Sequence, residues 1–581
     1  MYGRRSVRIA RGAAGLLAIP VAATALSVAP VAADNVVVAP IVDEGLTIEV
    51  ERWVEVPDSS RGRPRLNMMA TTNGRTFVAE ETDGKIYEIV TVGGTPRVEL
   101  FFDVGTAIAT NTDRQLDFTN TFHGGLRSVA FHPDFAQNGL FYTAMMETRP
   151  TDPASSTYLS DADQPIAADS VLVEWSYDHQ ANQVDRFSYR EVFRIGMPVY
   201  DHPIKQIAFN PFAAPGSADY GLLYVGHGDG SVLSATAGGG QNNDALGKVL
   251  RIDPTRNGND SYSVPADNPF VGDAGMIDEA WSIGHRNPHH LSFTNANGAV
   301  RLLVAEPGRD NVDEINMIER GGDFGWSERE GTFVHLEAGG IITGVASLPT
   351  NDAANGYVYP VVQLGHEGET GGASRGQVVA GGYVVNNGSE LEGEYFYSYA
   401  GALGQIYHSS LNALEAAVTS LNPGQSPDAL TQATVGEASI LFDHDSDDTT
   451  AALPRENFRD VVDDDPDYDG SGRVDVRFGQ GVAGEIYVLN KRNGWIYQVT
   501  NSVGSEIAHD GSTCVSRDVQ GPAAPRLASS VASGLNFSSV RTVEASPSAG
   551  LWRFVNRGGV MFPVHVRGGD FLDGFSNVSC N

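Results

Sequence analysis

Polar clusters at the ends of predicted strands carry the side chains best suited to chemistry. They are His123-Gly124-Gly125, Asp201-His202, Gly226-His227-Gly228-Asp229-Gly230, Arg286-Asn287, and the acidic loop Glu306 to Asp310 with Asp313 and Glu314. His202 is the candidate general base, because the adjacent Asp201 can fix its tautomer and raise its basicity. An isolated Asp-His pair is more often structural, but the matching positions of the other clusters favour one shared site.

Arg286 and Asn287 lie where the apolar strand containing Ala280 and Ile283 passes into a turn. Their side chains can direct several hydrogen-bond donors at one anionic or carbonyl-bearing ligand. The alternative is a satisfied turn in which Arg286 pairs with a nearby carboxylate. The neighbouring clusters favour the ligand-binding interpretation.

Two acidic loops offer the oxygen ligands that calcium prefers. The first runs from Glu306 to Glu314. The second, Asp465-x-Asp467-x-Asp469-Gly470, follows the opening of an EF-hand loop, but Val476 stands where the closing Glu should be. For the second loop a solvated acidic turn is an equally good interpretation.

A repeated strand-turn-strand pattern predicts the elements that position these clusters. The units start near Gly74, Leu126, Ile204, Asp278, Val378 and Val474, and the first and last share the ten-residue step from Gly74 to Gly84 and from Gly484 to Gly494. Six such units predict an all-β fold, a six-bladed propeller over residues 34–502. We expect Leu46 to Val56 to pair with the last blade. Two stacked sandwiches are the alternative.

The N-terminal segment is predicted to be a secretory signal. Arg4, Arg5, Arg8 and Arg11 precede an apolar run, and Val31-Ala32-Ala33 offers a cleavage site, so residues 1–33 are assigned to the signal and the mature chain to the periplasm or the exterior. A membrane anchor is the weaker alternative, because Pro20 interrupts the run. After the signal, no segment approaches the roughly 20 apolar residues of a membrane helix.

Composition narrows the classes of partner. The 581-residue chain has 72 acidic and 39 basic residues, which argues against nucleic acid or an anionic membrane surface. Cys514 and Cys580 lie in the last part of the chain, where export makes a disulfide plausible, with two free thiols as the alternative. Residues 503–581 depart from the repeat and predict a small β-rich appendage.

Seven ordered motifs resemble the soluble PQQ-dependent glucose and aldose sugar dehydrogenases of the glucose/sorbosone dehydrogenase family. They are GLRSVAFHPDFAQNGLFY, DHPIKQIAF, HGDG, GKVLRIDP, YSVPADNPF, GHRNPHHLSF and AEPGRDNVDEINMIERGGDFGW. The resemblance implies a propeller that holds pyrroloquinoline quinone (PQQ) and calcium. It also implies that His202 is the base, that Asp201 and Asp229 orient it, that Arg286 and Asn287 contact the quinone, and that the carbonyls of Gly308 and Arg309 hold calcium.

The chain departs from the family pattern at several cofactor positions. His123 stands where the enzymes usually have Gln, and Pro307 where a hydrogen-bonding side chain is common. No lysine lies between Phe396 and Tyr407, and Arg473 and Arg477 are four residues apart where the family has two arginines two apart. Each missing charge-assisted contact would weaken binding by roughly 1.5–3 kcal/mol. Arg375 and His408 are candidate replacements.

Three functions are therefore expected in order. The first is a secreted, calcium-dependent PQQ enzyme that oxidises an aldose to its lactone and passes electrons to an external acceptor. The second is a calcium-stabilised propeller that binds carbohydrate or a protein partner without catalysis. The third is a scaffold for the C-terminal appendage.

Overall fold

The computed structural model describes most of the chain between residues 46 and 503. The described residues are 41, 46–153, 156–159, 166–231, 244–296, 298–309, 311–338, 341–366, 378–443, 453–465, 468, 472–503, 541–544, 551–557 and 560–565. The signal segment, Asp310, Arg375, Asp467, Asp469 and both cysteines lie outside these ranges, so the expectations attached to them stay predictions. Within these ranges, no helix has the length and apolar character needed to cross a membrane.

Three antiparallel four-stranded sheets follow one another in the first half of the chain, after strand β1 (Thr47–Glu55). The first sheet contains β2 (Leu66–Thr72), β3 (Arg75–Glu80), β4 (Lys85–Val92) and β5 (Thr95–Asp103). The second contains β6 (Leu126–Phe131), β7 (Leu140–Glu147), β8 (Ala168–Asp178) and β9 (Gln183–Met197). The third contains β10 (Ile204–Phe209), β11 (Leu223–His227), β12 (Lys248–Ile252) and β13 (Ala280–Ser282).

The fourth sheet carries an insertion. It contains β14 (His290–Ala296), β15 (Ala299–Glu306) and β16 (Val312–Met317). A small sheet of β17 (Arg329–Glu330), β18 (Phe333–Ala338) and β19 (Ile341–Ser347) interrupts it before β20 (Val362–Gly365) completes it beside β16. The fifth sheet contains β21 (Glu394–Ser398), β22 (Ile406–Ser410) and β23 (Gly436–Glu437), and bridges from Val379 and Val384 add an inner edge to it.

The sixth sheet joins the two ends of the repeat. It contains β24 (Ser439–Asp443), β25 (Leu453–Arg455), β26 (Arg477–Gln480), β27 (Ile486–Leu489) and β28 (Trp495–Val503). Strand β1 lies between β24 and β28, antiparallel to β28 from Thr47↔Val503 to Glu55↔Trp495. The predicted pairing of the N-terminal strand with the last sheet is confirmed.

Few helices accompany the strands in the described ranges. They are α1 (Val104–Asn111), α2 (Phe135–Asn138), α3 (Leu411–Ala416) and α4 (Phe458–Val462), with short 3₁₀ turns at Asp352–Ala354 and Pro427–Ala429. A separate three-stranded sheet contains β29 (Arg541–Glu544), β30 (Leu551–Arg557) and β31 (Val560–His565). The predicted all-β class is confirmed.

The apolar core lies between successive sheets. Phe77 of the first sheet clusters with Trp175 of the second, Tyr142 of the second with Val225 of the third, and Tyr224 of the third with Val304 of the fourth. The cycle continues through the pairs Leu303 with Tyr395, Phe396 with Phe478, and Leu489 with Val78.

The first strands of successive sheets are also neighbours. Strand β2 contacts β6 and β26, β6 contacts β10, and β10 contacts β14. His290 of β14 meets Tyr383 of the fifth sheet, with ring centroids 4.9 Å apart. Six sheets packed in this closed order are compatible with the predicted six-bladed propeller, and the polar clusters at their inner ends lie close to one another.

Candidate functional site

His202 is held by a buried carboxylate that lies 27 residues further along the chain. Its Nδ1 is 2.6 Å from Asp229 Oδ1, and Asp229 Oδ2 accepts a hydrogen bond of 2.9 Å from Trp326 Nε1. Asp229 follows β11, whereas His202 lies in the link between β9 and β10 with φ of 50°. Asp229 therefore fixes the proton on Nδ1 and leaves Nε2 as the basic nitrogen.

Asp201 bonds mainly to a different histidine. Its Oδ1 is 2.6 Å from His123 Nε2, compared with 3.6 Å from His202 Nε2. Ser231 links the two acids, since its hydroxyl donates to Asp201 Oδ2 and its backbone N–H donates to Asp229 Oδ1 over 2.8 Å. Both sequence-predicted acids thus lie at His202, but Asp229 makes the shorter contact.

The ionisation states suit a base. Burial lowers the pKa of His202 below its ordinary value; the charge of Asp229 opposes this shift and the Arg286 guanidinium adds to it. Burial and the neighbouring Lys205 lower the pKa of His123 to about 3. Although burial acts against it, the hydrogen bond from His123 holds the pKa of Asp201 well below its usual value. At neutral pH both imidazoles are therefore uncharged beside an ionised Asp201.

Arg286 and Asn287 form one wall of the site. The Asp229 N–H donates to the Arg286 carbonyl over 2.8 Å, and the Arg286 guanidinium donates to the Pro307 carbonyl over 2.9 Å. Arg286 also lies over the Trp326 ring, 5.6 Å from its centroid. Asn287 is 3% exposed, and its Oδ1 has no hydrogen-bond partner among the described residues. A buried acceptor in this state is suited to an external donor.

Glu306 holds that wall in place. Its Oε2 accepts from the backbone N–H groups of Arg286 and Asn287 at 2.8 and 3.3 Å, and its Oε1 contacts His285 Nδ1 at 2.8 Å. Burial and the charge of Glu306 raise the pKa of Glu314 to about 8. Glu306 therefore acts through the backbone, and Glu314 is protonated at neutral pH.

The loop after Pro307 is organised by carboxylates that accept from its N–H groups. Glu330 Oε1 accepts from Arg309 and Asn311 at 2.8 Å each, and Asp313 Oδ1 accepts from Gly308 at 2.9 Å. Of the side chains that the structure describes, no three His, Cys, Asp or Glu form a metal-ligand group. The predicted calcium site, with the carbonyls of Gly308 and Arg309 and the carboxylates of Glu306, Asp313 and Glu314 as its candidate ligands, stays a prediction.

A cluster of basic side chains adjoins the site from the first and last sheets. Buried Glu81 receives Arg65 Nε at 2.5 Å, Lys491 Nζ at 2.6 Å and Arg127 NH1 at 2.9 Å. Arg477 pairs with Asp475 at 2.6 Å. These contacts concentrate positive charge at the inner strand ends.

Three other predicted residues, Arg473, His408 and Asp465, lie in the described part of the chain. Arg473 donates to the Ala400 carbonyl over 2.6 Å and lies over the Phe122 ring, next to His123. His408 pairs with Glu394 at 2.9 Å inside the fifth sheet. Asp465 is buried just after α4. With Asp467 and Asp469 outside the described residues, the second calcium loop stays a prediction.

Comparison with known proteins identifies the domain that carries these side chains. Residues 64–333 match the family model described as Glucose / Sorbosone dehydrogenase. These residues, slightly less than half of the 581-residue chain, therefore form a domain similar to the glucose/sorbosone dehydrogenase family. The match includes His123, His202, Asp229, Arg286 and the Gly308 loop, and it ends before Arg473 and Arg477.

Individual relatives of this protein have low sequence identity to it. HIPL1 protein of Arabidopsis thaliana is 28% identical over 326 residues, 49% of this chain and 44% of that protein. Quinoprotein glucose dehydrogenase B of Acinetobacter calcoaceticus is 25% identical over 277 residues, 46% of this chain and 51% of that protein. The matched region spans about half the length of these curated relatives. The apo soluble aldose sugar dehydrogenase of Escherichia coli aligns with a TM-score of 0.47 at 17% identity, covering 78% of this chain and 99% of that chain.

Several residues of this glucose/sorbosone dehydrogenase domain and its surroundings were missed from the sequence. No sequence pattern indicated Trp326, Ser231 or Glu330, because each contacts a residue distant in sequence or makes its contact with the backbone. Lys205 and Lys491 could have been singled out, because only four lysines occur in the chain. The structure shows both of them buried beside the site.

Proposed function

We propose that this protein is a PQQ- and calcium-dependent dehydrogenase that oxidises the anomeric hydroxyl of an aldose to the lactone. The observation that carries the proposal is the buried Trp326–Asp229–His202 chain beside the Arg286 and Asn287 wall. This arrangement joins a neutral, oriented base to a place for an electrophilic partner, which is what removal of a proton and a hydride from one alcohol requires.

The residues present suit a cofactor with a quinone and three carboxylates. Arg286 supplies a guanidinium that can donate to a quinone oxygen or a carboxylate, whereas the buried Asn287 Oδ1, without a partner among the described residues, can accept from a sugar hydroxyl. Arg473 and Arg477 are the cofactor-binding arginines of the proposal. Lys205 and Lys491 supply cations beside the site, although no lysine lies between Phe396 and Tyr407.

In the proposed reaction, His202 Nε2 takes the proton of the anomeric hydroxyl. Asp229 stabilises the imidazolium that forms, and the Trp326 N–H keeps the carboxylate aimed at Nδ1. PQQ, when bound, would supply the hydride acceptor for the sugar C1, and an external acceptor would reoxidise it.

Calcium and location complete the proposal. We assign calcium to the backbone carbonyls of Gly308 and Arg309, in the loop that Glu330 and Asp313 hold through its N–H groups. A divalent cation at this loop would stabilise negative charge on a quinone oxygen. The periplasmic or secreted location still rests on residues 1–33.

A second candidate function is supported by the basic cluster. Arg477 already pairs with Asp475 at 2.6 Å, so less of its charge is available to a cofactor carboxylate. With the altered arginine spacing, this favours a calcium-stabilised propeller that binds carbohydrate or a protein partner without turnover.

Titration separates the two functions. Calcium-loaded apoprotein is titrated with PQQ while the quinone absorbance is followed, and a panel of aldoses is then added with an artificial electron acceptor. We expect one PQQ to bind per chain and the dye to be reduced only when a sugar is present. Dye reduction should be lost in His202→Gln and kept in the control His179→Gln, because His179 lies on the exposed outer hairpin of the second sheet. Stoichiometric PQQ binding without turnover of any aldose would contradict the proposed substrate class. Absence of PQQ binding at micromolar concentration would favour the non-catalytic function.

A further inference from the structure

A small cavity lies where the first strands of the sheets meet. Its volume is about 10 Å³, enough for roughly one water-sized particle. The lining residues are Asn67, Met68, Arg127, Lys205, Gln206, His289, His290 and Arg477. These residues belong to, or directly precede, the inner strands of five sheets, so the cavity is a feature of the sheet arrangement rather than of any one loop.

The charge around this cavity is unbalanced. Arg127, Lys205 and Arg477 are 1%, 4% and 6% exposed, and an arginine cannot discharge itself by losing its proton. The nearest carboxylates are already shared: Glu81 contacts Arg65, Arg127 and Lys491, and Asp475 contacts Arg477. Buried cations left in this state are costly unless an anion accompanies them.

Hydrogen-bonding groups of the lining also lack partners within the described residues. They are Arg127 Nε, His289 Nδ1 and His290 Nε2. Lys205 Nζ contacts His123 Nδ1 at 2.7 Å, which leaves further ammonium protons for another acceptor. By contrast, the Gln206 side chain is fully hydrogen-bonded. Its Nε2 donates to the Leu291 carbonyl and its Oε1 accepts from the Leu291 N–H. Arg127 Nε and the Lys205 ammonium are therefore unmatched donors, and the two imidazole nitrogens can also donate in the appropriate tautomer.

The ionisation of the lining agrees with this geometry. Burial, followed by the positive charge of Arg127, lowers the pKa of Lys205 well below its ordinary value. Burial, followed by the charges of Arg477 and Lys205, lowers the pKa of His289 in the same way. An anion in the cavity would relieve this mutual repulsion.

We propose that the cavity binds one small monatomic anion of the halide class, chloride under physiological conditions, between Arg127, Lys205 and Arg477. The volume excludes a phosphate or a sugar acid, whereas a halide is comparable in size to one water molecule. The anion is neither the substrate nor the cofactor of the proposed reaction. Because that reaction also places Arg477 and Lys205 beside the cofactor, the halide would occupy the cavity when no PQQ carboxylate is bound there. It neutralises cations where the sheets converge and so stabilises their arrangement.

Halide dependence of stability tests the proposal in the full mature chain without PQQ. Melting temperature is measured in sodium chloride, bromide and gluconate at one ionic strength, because gluconate is too large for the cavity. We expect Tm to rise and saturate with either halide relative to gluconate. The rise should be lost in Lys205→Met and kept in Lys85→Met, whose side chain is partly exposed at the start of β4. Equal Tm values in all three salts, or a halide effect that survives in Lys205→Met, would overturn the proposal.

Diffraction keeps the test valid if Lys205→Met does not fold. Crystals of the unmodified protein are grown in sodium bromide, and anomalous scattering is recorded at the bromine edge. An anomalous peak among Arg127, Lys205 and Arg477 is expected. A cavity that contains only non-anomalous density, while bromide occupies sites elsewhere, would refute the assignment.

Discussion

The Glu81→Gln substitution should destabilise the fold by an amount that can be worked from its surroundings. Glu81 is fully buried, and contacts with Lys491, Arg65 and Arg127 outweigh burial and lower its pKa from 4.5 to about 2. At roughly 1.4 kcal/mol per pKa unit, that difference corresponds to about 3 kcal/mol. A loss of about 3–5 kcal/mol is expected, since the variant also leaves buried cations uncompensated.

The sign of the pH dependence follows from the lowered pKa. A carboxylate with a depressed folded-state pKa contributes stability that is complete above the unfolded value of 4.5 and is lost as pH falls towards 2. The linked contribution is therefore about 3 kcal/mol at pH 7 but only about 1 kcal/mol at pH 3. The stability gap between the unmodified protein and Glu81→Gln should narrow accordingly.

Urea unfolding at pH 7 and pH 3, followed by tryptophan fluorescence, measures both quantities. Glu88→Gln is the matched control, because Glu88 pairs with Arg75 at 2.6 Å on the partly exposed face of β4 and should cost less than about 1 kcal/mol. Equal losses in the two variants, or a gap for Glu81→Gln that is the same at both pH values, would refute the reasoning.

Three further predictions concern the proposed catalytic site and its loop. Asp229→Asn should lower kcat by about 10²–10⁴-fold with folding intact. The NH₂ group of the new amide would point at either His202 Nδ1–H or Trp326 Nε1–H, and two donors cannot hydrogen-bond each other. An unchanged kcat would contradict the role of Asp229. The rate should be flat above neutrality and fall only as His202 becomes protonated below its ordinary pKa of 6.5, so a midpoint above pH 7 in a kcat/KM profile would exclude a neutral buried base. Gly308→Ala should lower Tm and weaken calcium binding, since an added Cβ would lie 1.8 Å from the Val312 carbonyl oxygen. Gly275→Ala is the control, because a Cβ there would lie 3.5 Å from its nearest neighbour. Equal Tm values for the two variants would contradict the prediction.

The parts of the site that the sequence predicted are those encoded by repetition. In the third and fourth sheets the start of the first strand and the end of the second lie at the same end of an antiparallel pair. His202, Asp229, Arg286 and the Gly308 loop could therefore be placed near one another from strand order. The pairing of β1 with β28 followed from the alternating pattern of its side chains.

The remaining contacts depend on side-chain directions that strand order does not encode. Adjacency in sequence suggested Asp201 as the immediate partner of His202, whereas the geometry places Asp229 on Nδ1 and turns Asp201 towards His123. Lys491 and Glu81 are about 400 residues apart, and only closure of the ring of sheets brings them together. Acidic residues in a loop predict metal ligands, but composition does not show whether a carboxylate instead accepts backbone N–H groups, as Asp313 does from Gly308. The calcium assignment itself stays a prediction.

The position of β1 has a consequence for the order of folding. Ile48 pairs with Ile440 on one side and Ser502 on the other, so the strand made earliest finds its neighbours only after about 390 more residues have been synthesised. Contacts of such sequence separation slow folding, because the entropy of closing the loop is lost before the pairing is gained. Until then β1 stays unpaired and prone to aggregate, so its insertion between β24 and β28 is the step that removes this exposed edge.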